Sequence, residues 1–232
     1  MSELSRTKER QIIEEVFAIS SPLNWDHKVP AICWIWHISP ERIGLNGQDH
    51  VSKLGLNGFN SEGRIPSFPS CLTRLSGLSE LTSLCLRDNR LTGEICLKIS
   101  KLNKLEELDL SHNQLTGTMA VSFGDLTNLI YLNLSCNQFT GQIPSSLGCL
   151  PNVIRLNLSC NKLTGNIPSS LGNLTNLERL NLGGNELTGP IPTSFSSLQK
   201  LGKIYLNNNN LSGKMFWTLA ACLPVCAQAW HH

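Results

Sequence analysis

The 232-residue sequence predicts an α/β repeat solenoid, a right-handed curved stack of 24-residue units with a parallel β-sheet on its concave face. Three observations carry that expectation. Asparagine recurs at Asn89, Asn113, Asn137, Asn161, Asn185 and Asn209, and every interval is 24 residues. Around each asparagine runs the pattern L-x-x-L-x-L-x-x-N-x-L-x-G, most complete in residues 129–152 and 153–176. Within each unit, apolar and polar residues alternate for about the length of one short strand. A chain repeated in this way folds by stacking neighbours in one dimension rather than by closing around a single globular core.

The strand comes first in each unit. In residues 131–135, Leu132 and Leu134 point one way while Tyr131, Asn133 and Ser135 point the other, so the leucines go inward. The asparagine that follows stands where the chain turns inward, and its amide carries donors and an acceptor for backbone groups that no ladder satisfies. Stacked repeats therefore share an asparagine ladder. Next come Thr140-Gly141, Thr164-Gly165 and Thr188-Gly189, where glycine permits a turn. Pro144, Pro168 and Pro192 then block helix continuation.

The motif LTGxIPxxLGxLxxL resembles the plant-type subclass of leucine-rich repeats over roughly residues 81–224. That family includes receptor-kinase ectodomains and polygalacturonase-inhibiting proteins, and the resemblance implies a leucine-rich repeat solenoid that acts by recognition. Individual units drift. Cys96 and Ala120 occupy the proline slot, and a weaker unit at residues 51–72 has Phe59 in the asparagine position. The interval from Leu54 to Leu84 is 30 residues, so six are extra. They are placed near residues 75–80, as a loop bulging from the convex side.

These features divide the chain into a degenerate N-terminal cap at 1–50, about seven repeats at 51–225, the first irregular and the last incomplete, and a tail at 226–232. Residues 10–19 read as a short amphipathic helix, with Ile12, Ile13, Val16 and Phe17 opposite Glu14 and Glu15, ended by Pro22. The stretch holding Cys33, Trp34 and Trp36 resembles the plant-type cap but lacks its second cysteine. The polar opening residues show no signal-peptide pattern, and nine cysteines are an odd set without regular pairing. As written, the chain is expected to be cytoplasmic; an incomplete N-terminus would make it extracellular or cell-surface. The sequons at Asn133, Asn157, Asn173 and Asn210 arise from the repeat consensus itself. Residues 215–230 are uncharged, but Pro224 interrupts them and they fall short of the roughly 20 residues a membrane span needs. Met215, Leu219, Cys222 and Val225 stay in frame with the inward Ile167, Leu171, Leu174 and Leu177, which makes this stretch half a repeat.

A net charge of +2 without a basic run argues against a nucleic-acid partner. The candidate surface is the outward side of the strands. One column reads Ser83, Glu107, Tyr131, Arg155, Arg179 and Lys203, and its neighbour Cys85, Asp109, Asn133, Asn157, Asn181 and Tyr205. Stacked about 4.8 Å apart, the strands present a face acidic toward one end and basic toward the other. Like charges stacked at Arg155, Arg179 and Lys203 repel and suit an acidic partner. Tyr131 and Tyr205 add aromatic anchors. A rival chemistry lies just before the asparagines, where Asp88, His112, Cys136 and Cys160 suggest thiol or metal chemistry. Four residues in a line cannot converge on one ion, however. The sequence reading is therefore a non-enzymatic module that binds a protein or peptide through its concave face, with no catalytic residue, metal or cofactor. Its possible settings are signalling, recognition or defence. The alternatives are a truncated or vestigial scaffold without a ligand, and chemistry at the Asp88 to Cys160 column.

Overall fold

Where alternation is strongest, strands form at Ser83–Cys85, Glu107–Asp109, Tyr131–Asn133, Arg155–Asn157, Arg179–Asn181 and Lys203–Tyr205. The computed structural model describes residues 43–45, 51–55, 57, 75–95, 97–119 and 121–212. Neighbouring strands pair parallel and in register, which aligns Leu84, Leu108, Leu132, Leu156, Leu180 and Ile204 in one buried row. Val51–Gly55 precedes them in the same sheet, with Lys53 opposite Ser83. Ile43–Leu45 pairs antiparallel with Val51–Gly55 and completes an eight-stranded sheet. This antiparallel strand adds to the expected architecture and takes up backbone groups that the edge of a parallel sheet would leave unpaired.

The ladder asparagines join each repeat to the one before it. Asn137 Nδ2 donates to the carbonyls of Leu134 (3.2 Å) and Ser135 (3.2 Å) in its own turn, and to Leu110 (2.9 Å) in the preceding repeat. Its Oδ1 accepts the amide of Leu115 (3.0 Å), again one repeat back. Asn161 repeats the pattern with Leu134 and Phe139, and Asn185 with Leu158 and Leu163. Asn89, Asn113, Asn137, Asn161 and Asn185 are buried, so these bonds are shielded from water.

Thr-Gly does more than turn the chain. It lies inside a second set of short strands: Thr92–Glu94 pairs with Gln114–Thr116, while Thr140–Gln142, Lys162–Asn166, Glu186–Gly189 and Asn210–Leu211 make a four-stranded parallel sheet. Gly165 within it has φ +75, and a Cβ there would stand 2.9 Å from Gln142 Cγ of the preceding repeat. The prolines also differ from expectation. Pro144, Pro168 and Pro192 open the convex segment, and their carbonyls accept the amides of Leu147, Leu171 and Phe195 at 3.1 Å. A fixed φ near −65° suits the start of a helical turn, where the missing N–H has no partner to lose. Each of these prolines leads into a five-residue 3-10 turn, as in Ser145–Cys149 and Ser169–Asn173.

The six extra residues do not bulge at 75–80. Leu75, Leu78 and Leu81 are fully buried in line with Ile99, Leu102 and Leu105 one repeat later, because apolar spacing drives that segment into the core. The lengthened interval therefore falls before Leu75. The helix expected at 10–19, the cap residues Cys33, Trp34 and Trp36, Phe59, the proline-slot residues Cys96 and Ala120, and the half-repeat from Met215 lie outside the described residues. No helix among the described residues is long and apolar enough to cross a membrane.

Replacing Asn137 by Ala removes the acceptor of the buried Leu115 amide and leaves the Leu110 carbonyl to Asn113 Nδ2 alone, and denaturant unfolding should show a loss of roughly 1–3 kcal/mol. On the convex side, adjacent 3-10 turns approach so closely that a Cβ on Gly148 would collide with the carbonyl oxygen of Ser170. Among the described residues, a Cβ on Gly202 would meet Glu178 O at 3.8 Å, an ordinary van der Waals contact. Thermal melts should therefore show Gly148→Ala destabilised by about 1–3 kcal/mol and Gly202→Ala within about 0.5 kcal/mol of the parent.

Candidate recognition face

The first outward column projects from the strands much as alternation requires. Glu107, Arg155, Arg179 and Lys203 are exposed, and Ser83 and Tyr131 are half-buried. Arg155, Arg179 and Lys203 stand in strict register on adjacent strands, and among the described residues no acidic side chain forms an ion pair with them. At the other end, Ser83 Oγ donates to Glu107 Oε2 at 2.8 Å.

The second column departs from expectation. Asp109 is 6% exposed and Asn133 5%, so both side chains are largely withdrawn from the surface. Both fold back on the chain: Asp109 Oδ1 accepts the Ser111 amide (2.9 Å) and hydroxyl (2.6 Å), and Asn133 Oδ1 accepts the Ser135 amide (3.2 Å) and hydroxyl (2.7 Å). Asn157 and Asn181, half-buried, accept the amides of Ser159 and Gly183 in the same way, both at 3.1 Å. A short polar side chain at a strand end mimics a backbone turn by binding two residues on. The repeated tripeptides Asp109-Leu110-Ser111, Asn133-Leu134-Ser135 and Asn157-Leu158-Ser159 were the signal for it. Only Tyr205, at 38% exposure, stands out from this column.

Asp109 nevertheless shapes the surface above it. Its Oδ2 accepts from Asn133 Nδ2 (3.2 Å) and from the Tyr131 hydroxyl (3.4 Å), while Asn133 Nδ2 also donates to the Tyr131 oxygen (3.0 Å). Burial, reinforced by the Asp109 carboxylate, holds the Tyr131 phenol above the usual tyrosine range. The Cys85 thiol is raised by burial first and by the same carboxylate second. Tyr131 is thus a fixed, neutral ring with its hydroxyl tied down and its edge available.

A third column went unread in the sequence: Thr82, Glu106, Ile130, Ile154, Glu178 and Gly202, each one residue before its strand. Ile130 is 39% exposed and Ile154 is half-buried. With Glu107, Asp109, Tyr131 and Arg155 they line an open hollow of about 370 Å³. Its lining combines two isoleucines and the Tyr131 ring with the carboxylates of Glu107 and Asp109 and the Arg155 guanidinium. Two successive isoleucines at the first x of L-x-x-L were the available cue.

The Asp88, His112, Cys136 and Cys160 column lies in the turn and has left-handed backbone, with φ of 56, 55, 54 and 54. It divides into two pairs: His112 Nδ1 stands 3.8 Å from Asp88 Oδ1, and the Cys136 thiol is raised above its ordinary range by burial first and by the neighbouring Cys160 second. Among the described residues, no three His, Cys, Asp or Glu side chains are placed to hold a metal ion.

Comparison with known proteins fits this geometry. A family model for the leucine rich repeat matches residues 103–163 and 151–211. No curated protein matches in sequence. Among solved structures, the LRR ectodomain of the plant membrane receptor kinase GASSHO1/SCHENGEN3 from Arabidopsis thaliana, in complex with CASPARIAN STRIP INTEGRITY FACTOR 2, is 32% identical with a TM-score of 0.67. That match covers 74% of this chain and 20% of the ectodomain. The plant peptide hormone receptor RGFR1 in complex with RGF2 is 29% identical with a TM-score of 0.63, over 66% of this chain and 25% of the receptor. A plant ice-binding protein is 25% identical with a TM-score of 0.69, over 88% of this chain and 72% of that one. The chain therefore spans a quarter or less of the two receptor ectodomains. Asparagine spacing, parallel register, family model and structural neighbours agree: residues 103–211 are leucine-rich repeats, and the fold is the repeat solenoid of the plant-type receptor ectodomains.

Proposed function

We propose that the chain is a non-enzymatic module that binds an extended protein or peptide segment across its concave face, in a signalling, recognition or defence setting. The observation that carries this reading is the hollow at Ile130, Tyr131, Ile154 and Arg155, continued by the in-register cations Arg179 and Lys203, which form no ion pair among the described residues. An apolar side chain of the ligand fits against Ile130, Ile154 and the Tyr131 ring. Carboxylates further along it meet the three cations, each of which offers its charge without first breaking an internal ion pair. Two structural neighbours, the GASSHO1/SCHENGEN3 ectodomain and RGFR1, are complexes with CASPARIAN STRIP INTEGRITY FACTOR 2 and RGF2. The ice-binding neighbour shows that this fold alone does not choose a ligand, so the choice rests on the side chains of the face.

Random-peptide display panned on the full chain tests the reading. Enriched sequences should carry an apolar residue followed by acidic ones. Their affinity should fall about 30-fold or more for Tyr131→Ala and by about tenfold for Arg179→Ser, with circular dichroism unchanged. Peptides that bind both variants as tightly as the parent would remove the face from the binding role. A failure to enrich any peptide would favour a scaffold without a ligand.

A further inference from the structure

A separate chemistry lies in the turn beyond the strands. Asp88, His112, Cys136, Cys160, Gly184 and Asn208 occupy equivalent places, all with φ between 54 and 67. Glycine, asparagine and aspartate enter this left-handed region readily, whereas a cysteine there bears a steric cost. Two cysteines nevertheless hold the position in consecutive turns.

Those turns are locked together. The Cys136 amide donates to Ser159 O at 2.9 Å and the Asn137 amide to Cys160 O at 3.2 Å, directly after the Asn133 and Asn157 register pair. A Cβ placed on Gly184, one turn further on, would stand 3.5 Å from both Cα and Sγ of Cys160. Cys160 occupies the matching place relative to Cys136, so the two cysteine side chains stand side by side on neighbouring turns. Adjacent turns about 4.8 Å apart bring the Cα pair inside the roughly 4.4–6.8 Å range of disulfides. Both cysteines are free in this structure, Cys160 exposed and Cys136 partly covered.

We propose that Cys136 and Cys160 form a modification site, a proximal dithiol that a low-molecular-weight disulfide oxidises to an intramolecular bridge between neighbouring repeats. The exposed Cys160 gives up its proton, and its thiolate attacks one sulfur of the reagent. The reagent's S–S bond breaks, and the departing thiolate takes up a proton. The Cys136 thiolate then attacks the Cys160 sulfur and expels the second reagent thiol. Two protein thiols lose two electrons and two protons, and the reagent disulfide gains them. The bridge closes a 24-residue loop and ties together the turns behind Tyr131 and Arg155, the strands that line the hollow.

Oxidised glutathione applied to the full chain, followed by tryptic mapping without reductant, tests this site. Cleavage after Arg155 separates the cysteines, so the bridge links the peptide 105–155 to the peptide 156–162. The linked species should appear in the parent and in Cys149→Ser but not in Cys160→Ser, and should raise Tm by about 5 °C or more. Glutathione retained on Cys160 as a stable mixed disulfide, loss of the linked peptide in Cys149→Ser, or an unchanged Tm would each overturn the proposal.

Discussion

The side-chain amide of the ladder asparagine is the interaction on which the rest of the stack depends. Burial of leucine supplies most of the favourable free energy, but it is non-directional and would tolerate a slipped or rotated repeat. The asparagine amide does not tolerate that. In Asn113, Asn137, Asn161 and Asn185, Nδ2 reaches a carbonyl of the preceding repeat while Oδ1 receives an amide from it, so each unit is held at one height and one orientation. A repeat has no core of its own, and its backbone polar groups find partners only when a neighbour stands in register.

That constraint also makes a recognition surface available. With register set from the turn, the outward strand positions carry no obligation to the core and are free to differ from repeat to repeat. Part of this freedom is then spent. The column of Asp109, Asn133, Asn157 and Asn181 binds the chain two residues on and steadies the approach to the ladder asparagine. The column of Glu107, Tyr131, Arg155, Arg179 and Lys203 stays open, flanked by Ile130 and Ile154. The polarity of the face and most of the lining of its hollow follow from those positions.

The architecture was legible because its signals are periodic. A 24-residue interval, the leucine alternation and the inward turn at asparagine are each visible without coordinates. The second sheet was not, because Thr-Gly carries the same residues whether it makes a turn or a strand with a left-handed glycine; only the neighbouring repeat decides between them. The prolines misled for a related reason, since the residue that cannot continue a helix is also well suited to begin one. Among the candidate surface residues, alternation indicates which side of a strand a residue leaves from but not whether its side chain then folds back. Asp109 and Asn133 leave outward and end buried. Ile130 went unread because it precedes the strand rather than lying in it.

Amide hydrogen exchange tests the central role of the asparagine side chains most directly. The Leu115, Phe139 and Leu163 amides donate to side-chain oxygens, the Oδ1 atoms of Asn137, Asn161 and Asn185. If those side chains hold the repeats together, the three amides are protected as strongly as the inter-strand amides of Leu134 and Leu158, which bond to Asn157 O and Asn181 O. Exchange at the rates of exposed loop amides, with Leu134 and Leu158 still protected, would contradict the account and leave leucine packing and the backbone ladder to set register.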